Sequence, residues 1–221
     1  MGAFAIIPAA PVLLDDVDLI ETARTAELRA TIRSALRTQP SWALPVQTLP
    51  PVVGLGGWGI DRGIDIVSGR MLTGNHWVET VESLTDAERA AAEALDPAVI
   101  VGVLHAHSAD VEVGPLGSSP NLLLPIDLSA AVTDNAPLAP VDGAADFDAA
   151  VVTALTGTAE IDTDRLLDLC AGAEAVHADL TSLETGIRHI VARGGTVSAP
   201  VLSVDERVHE VRCLCGTGTW T

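Results

Sequence analysis

His105 and His107, two residues apart and followed by Asp110, form the strongest polar signal in the chain. On an extended backbone alternate side chains face one way, so both imidazoles reach one metal ion and Asp110 adds a carboxylate. The same pair offers acid–base groups, because imidazole titrates near neutral pH. The H-x-H-x-x-D spacing lacks the further aspartate–histidine step of metallo-hydrolase motifs, which favours a polar loop lining a cleft as the plainer reading. Glu174 and His177 are a second pair suited to a cleft, though helix-surface positions explain them as well. Cys213 and Cys215 share a strand face with Val211, so a core role is expected for both thiols. Ser108, Ser118 and Ser119 lack a G-x-S-x-G elbow. Gly54, Gly56, Gly57 and Gly59 miss the G-x-G-x-x-G spacing and precede a strand, so that loop is expected to be a structural turn, with Trp58 packing.

Composition removes several chemistries. All twelve basic residues are arginine, with no lysine and no tyrosine, which excludes a Schiff base, a phosphate-loop lysine and a Ser-Lys dyad. Thirty acids give a net charge of -18, a field that repels nucleic acid and anionic lipid. The 48% apolar content with 19% charged residues argues for a folded core in one domain spanning residues 1–221. Three cysteines do not make a secreted disulfide framework, and the amino terminus lacks a basic leader, so a cytoplasmic setting with reduced thiols is expected. No apolar run is long enough to span a membrane.

The elements that must position these side chains read as α/β. Ala3 to Leu14 is an apolar strand ending in a proline turn, Pro8-Ala9-Ala10-Pro11, which delivers only methyl groups. A helix over 17–37 capped by Asp15 or Asp16, a strand over 42–49, a short strand over 64–67 and a capping-box helix from Thr85 to about Leu95 follow. The run 98–104 is apolar throughout, the pattern of a strand buried on both faces, with His105 and His107 at its end. Residues 110–143, rich in Pro, Gly and Ser, read as an extended connection able to form a lid. Helices are expected over 144–155, 164–171 and 175–193. Strands over 196–204 and 208–215 should form an antiparallel hairpin turning at Asp205-Glu206-Arg207.

The opening strand into Pro8-Ala9-Ala10-Pro11-Val12-Leu13-Leu14, the apolar run with its polar end, the helices after Ala145 and the closing strand from Val211 to Trp220 together resemble the class III extradiol ring-cleavage dioxygenases, catalytic B-subunit type. Shorter actinobacterial relatives are the nearest in build. The resemblance implies an α/β fold, with a central mostly parallel or mixed sheet flanked by helices. It also implies a non-haem iron(II) site of two histidines and a carboxylate, with a further histidine as acid/base. Ala9 and Ala10 stand where the first iron histidine belongs. Pro45, Val46, Gln47 and Thr48 offer no strong ligand where the second belongs. His105 or His107 falls near the acid/base position.

The expected function is therefore a dioxygenase-like fold with a degenerate iron site and a binding or interaction role, with no cofactor. The enzyme alternative is a metal-dependent oxidoreductase or hydrolase using His105, His107 and Asp110 or Glu174, with Fe(II) or another divalent ion. A small-molecule ligand and a second copy or partner subunit are the partners that remain open. Nucleic acid and membrane are not expected.

Overall fold

The computed structural model describes residues 1–15, 17 and 22–221. Its strands are β1 (Gly2–Pro8), β2 (Ser41–Ala43), β3 (Val52–Gly54), β4 (Arg62–Asp65), β5 (Arg70–Thr73), β6 (Glu112–Gly114), β7 (Leu122–Ile126), β8 (Val201–Val208) and β9 (Val211–Trp220). The helices are α1 (Ala23–Leu36), α2 (Asn75–Ser83), α3 (Asp86–Glu93), α4 (Pro97–Ser108), α5 (Ala144–Thr156), α6 (Thr163–Ala171) and α7 (Thr181–Val191). Six strands make the main sheet in the order β6-β2-β7-β1-β9-β8; β3, β4 and β5 form a small antiparallel sheet.

The main sheet is mixed. β6, β2, β7 and β1 run parallel, β9 is antiparallel to β1, and β8 closes an antiparallel hairpin with β9. Period-two alternation sorts the side chains. Ala5, Ile7, Leu123, Cys213 and Cys215 enter the layer holding α1 and α4, whereas Phe4, Ile6, Leu122, Leu124 and Leu214 face α5, α6 and α7. This makes three layers, with the sheet buried on both sides.

Several expectations are corrected. Residues 98–104 form helix α4, not a strand: Asp96 caps the first turn by accepting from the Ala98 amide at 2.7 Å, and Pro97 occupies the first helical position. The helix is apolar all round because it is covered by α1, β3, β6 and β7, and a fully buried helix carries the same pattern as a buried strand. Gly102 permits close approach, since a Cβ there would lie 3.2 Å from both Leu44 and Pro125. The second correction concerns 110–143, which contains β6 and the central strand β7, fully buried from Leu122 to Ile126, rather than a lid.

The hairpin turn, thirdly, is at His209-Glu210. Asp205, Glu206 and Arg207 lie within β8, Asp205 and Arg207 exposed and Glu206 half-buried between Val204 and Val208. Asp205 bonds Arg212 across the pair at 2.6 and 2.7 Å. Fourthly, α1 is shorter than expected; Thr22 and Thr25 form its capping box, and Asp16, a proposed cap, lies outside the described residues. The strand expected over 42–49 is confined to Ser41–Ala43. The helix expected over 175–193 begins only at Thr181, after a 3-10 turn at Ala173–Val176. The capping-box helix, α5, α6 and the C-terminal hairpin are found as expected.

Candidate functional site

Helix α4 separates the residues expected to act together. Side chains two apart on a helix diverge by roughly 200°. His105 is 2% exposed, and its Nε2 has no hydrogen-bond partner among the described residues. Burial pushes its pKa down to about 4, with Asp15 opposing and Arg33 and Arg29 adding to the fall. Asp15 bonds Arg33 at 3.1 Å and lies 3.3 Å from the Arg29 Nε. Burial works against its ionisation, but Arg33, Ser108 and Arg29 hold its pKa below the usual value. His107 and Asp110 instead line a different cavity, beside Ile64, Ile66 and Val103. The pair is therefore split between a buried ionic cluster and an outer cleft.

A denser arrangement sits where β1 and β7 end. The carboxyl edge of an open α/β sheet is where such folds place ligands. Immediately after β7, Asp127 makes two reciprocal main-chain bonds with Asp179: Asp127 N to Asp179 O at 2.9 Å and Asp179 N to Asp127 O at 2.8 Å. A residue pair bonded in this way carries its side chains on the same face. Burial, then the neighbouring Asp179, raises the Asp127 pKa to about 7, against the pull of the Ala9 amide. Asp96, the cap of α4, also has a raised pKa, from burial and then from the nearby Asp179.

These loops are fastened from behind. The Ser129 amide donates to Asp148 Oδ1 at 3.0 Å, the Ser129 hydroxyl donates to Val176 O, and the Ala130 amide donates to His177 O at 3.2 Å. Asp148 is fully buried, its other oxygen has no hydrogen-bond partner among the described residues, and burial raises its pKa. The hairpin tip overhangs the same edge, because β9 runs past the end of β1: the last pair is Ile6 with Gly216, and β9 starts at Val211. The result is a cavity of about 340 Å³ lined by Ala10, Asp127, His177, Asp179 and His209, with apolar walls from Pro11, Val12 and Val208.

Backbone strain collects here. His177, His209 and Glu210 have φ of 54°, 47° and 67°, three of the four non-glycine residues with positive φ among the described residues; Asp110 is the other. Each holds a left-handed conformation that costs free energy, and such residues gather at ligand clamps and active sites. Consecutive positive φ at 209 and 210 is the demand of a two-residue hairpin turn, normally met by Asn-Gly.

No protein-family model and no curated protein matches this chain.

The iron set that the resemblance implies does not fit this edge. Ala9 and Ala10 occupy the turn after β1, and among the described residues no three His, Cys, Asp or Glu side chains converge on one ion position. The cysteines lie in the core, where burial raises Cys213 to about 12 and Cys215 to about 11, so their thiols stay protonated at neutral pH. Glu174 caps nothing in the cavity; only its carbonyl reaches His177, accepting from the His177 amide at 3.1 Å. Sequence reasoning missed Asp96, Asp127 and Asp179. The available signal was an acid directly after the apolar run Leu122-Leu123-Leu124-Pro125-Ile126, once that run is read as a strand.

Proposed function

We propose that this chain is an extradiol-dioxygenase-like α/β protein without the ancestral iron set, whose carboxyl-edge cleft binds a small molecule bearing hydroxyl or ammonium donors. The reading rests on one observation: two main-chain hydrogen bonds clamp Asp127 beside Asp179 at the mouth of a cavity. A carboxylic acid held protonated near neutral pH can give a hydrogen bond that an ordinary carboxylate cannot. Asp127, raised to about 7, donates to a ligand oxygen. Asp179, on the same face, supplies acceptor oxygens for a hydroxyl or ammonium group. His177 and His209 stand across the cavity as further hydrogen-bonding groups, and the walls from Pro11, Val12 and Val208 receive the carbon skeleton. Ligands of negative charge are disfavoured by the carboxylates.

The test is ligand-observed NMR on protein purified without a histidine tag, against a panel of amino alcohols, catechols and matched carboxylates. Saturable binding of the first two classes, weak binding of carboxylates, and loss of binding in Asp127→Asn and Asp179→Asn are expected. Metal content should stay well below one ion per chain, with the fold unchanged by EDTA. One tightly held ferrous ion per chain together with catechol ring opening would overturn the proposal, as would binding unaffected by either substitution.

A further inference from the structure

A second cavity, of about 570 Å³, lies between the small sheet, α2, α3 and the first turn of α4. That volume is within the range of small-molecule sites. Its floor is built by an indole on glycines. Trp77 is 8% exposed, and a Cβ on Gly54 or Gly63 would come within 2.4 or 2.2 Å of its ring. The glycine-rich segment therefore serves to seat Trp77.

Trp58 is the outlier. Of the four tryptophans and two phenylalanines in the chain, it alone is exposed, at 44%, and it lines this cavity from the 3-10 turn Gly56–Trp58. Packing does not account for it, contrary to the expectation from sequence. The charges around the rim are Asp61, Glu82 and Glu93 against Arg89, a negative balance on an already acidic protein. An exposed indole face attracts a cation through its quadrupole, and carboxylates at the rim add attraction of the same sign.

We propose that this cavity is a separate binding site for an amphiphilic organic cation, its apolar body against Trp77, Val78 and Val81 and its ammonium group between Trp58 and the acidic rim. The site does not depend on the carboxyl-edge cleft or on the reading given to it.

The experiment follows the Trp58 indole N–H signal of 15N-labelled protein during titration with benzyltrimethylammonium. The comparison compounds are neopentylbenzene, the uncharged isostere, and phenylacetate, an anion. A saturable shift with the cation is expected, about tenfold tighter than with neopentylbenzene, with no binding of phenylacetate. Calorimetry on Trp58→Ala, which removes an exposed ring, should show binding weakened by about tenfold. Equal affinity for neopentylbenzene would mean an apolar pocket without charge selection and would overturn the proposal. So would unchanged affinity in Trp58→Ala, tighter binding of phenylacetate, or no shift with the cation.

Discussion

The two ends of α4 treat buried charge in opposite ways. At its first turn Asp96 neighbours Asp179, and burial pushes Asp96 and Asp127 toward the protonated state. In its last turn His105 is a base that burial pushes toward the unprotonated state, although Asp15 lies beside it. Both ends avoid burying an uncompensated charge, as low-dielectric surroundings require. The difference is in what surrounds them. His105 is enclosed beside Asp15, Arg29 and Arg33, so its neutrality serves packing. Asp127 faces an opening lined by the left-handed residues His177 and His209, so its retained proton is available to something that enters.

The sharpest way to break this contrast is the pH dependence of stability. His105 has a folded pKa near 4 against an ordinary 6.5, so the unfolded chain binds the extra proton between those values and stability falls as pH drops from 6.5 to 4. Asp127 acts with the reverse sign: its folded pKa is raised, so its contribution is full below the ordinary carboxyl value and is lost as pH rises through about 7. The slopes oppose one another in the same window, and only variant-minus-wild-type differences separate them. Urea unfolding should show His105→Leu gaining about 3 kcal/mol relative to wild type between pH 7 and pH 4. A flat difference would mean that His105 is charged in the fold.

Next in size is Asp127→Asn, which should gain roughly 2.5 kcal/mol over wild type as pH rises from 5 to 8, measured the same way. If that difference does not rise with pH, Asp127 is ionised throughout and the proton-donor role fails. Asp148→Ala leaves the buried Ser129 amide without its acceptor and should cost about 2 kcal/mol in urea unfolding at pH 7, with slackening of the loop that carries Asp127. The smallest effect belongs to the hairpin tip. His209→Asn combined with Glu210→Gly suits the positive φ values and should raise stability by about 0.5 kcal/mol in thermal unfolding, while weakening binding in the cleft.

The fold was legible wherever one face of an element differed from the other. Thr85 and Glu88 announced their capping box, and Cys213 and Cys215 announced a strand by alternation. It was illegible where an element is buried all round, because α4 and β7 then carry the same uniform apolar signal and only Asp96-Pro97 distinguishes the helix. The site suffered from that exchange. Reading α4 as the central strand set His105 and His107 at a sheet edge, while the true edge, after Ile126, carried an aspartate read as part of a loose connection. Nothing local in the sequence links Asp127 to Asp179; their pairing is a product of the tertiary fold.

β1 lies between β7 and β9, so one neighbour of Gly2–Pro8 begins at Leu122 and the other at Val211. β1 thus leaves the ribosome long before β9, with one edge of an apolar ribbon unpaired in the meantime. Such distant pairing slows closure and leaves an open edge that invites other chains. Deleting β9 should therefore produce aggregation during synthesis rather than a slightly weaker native protein.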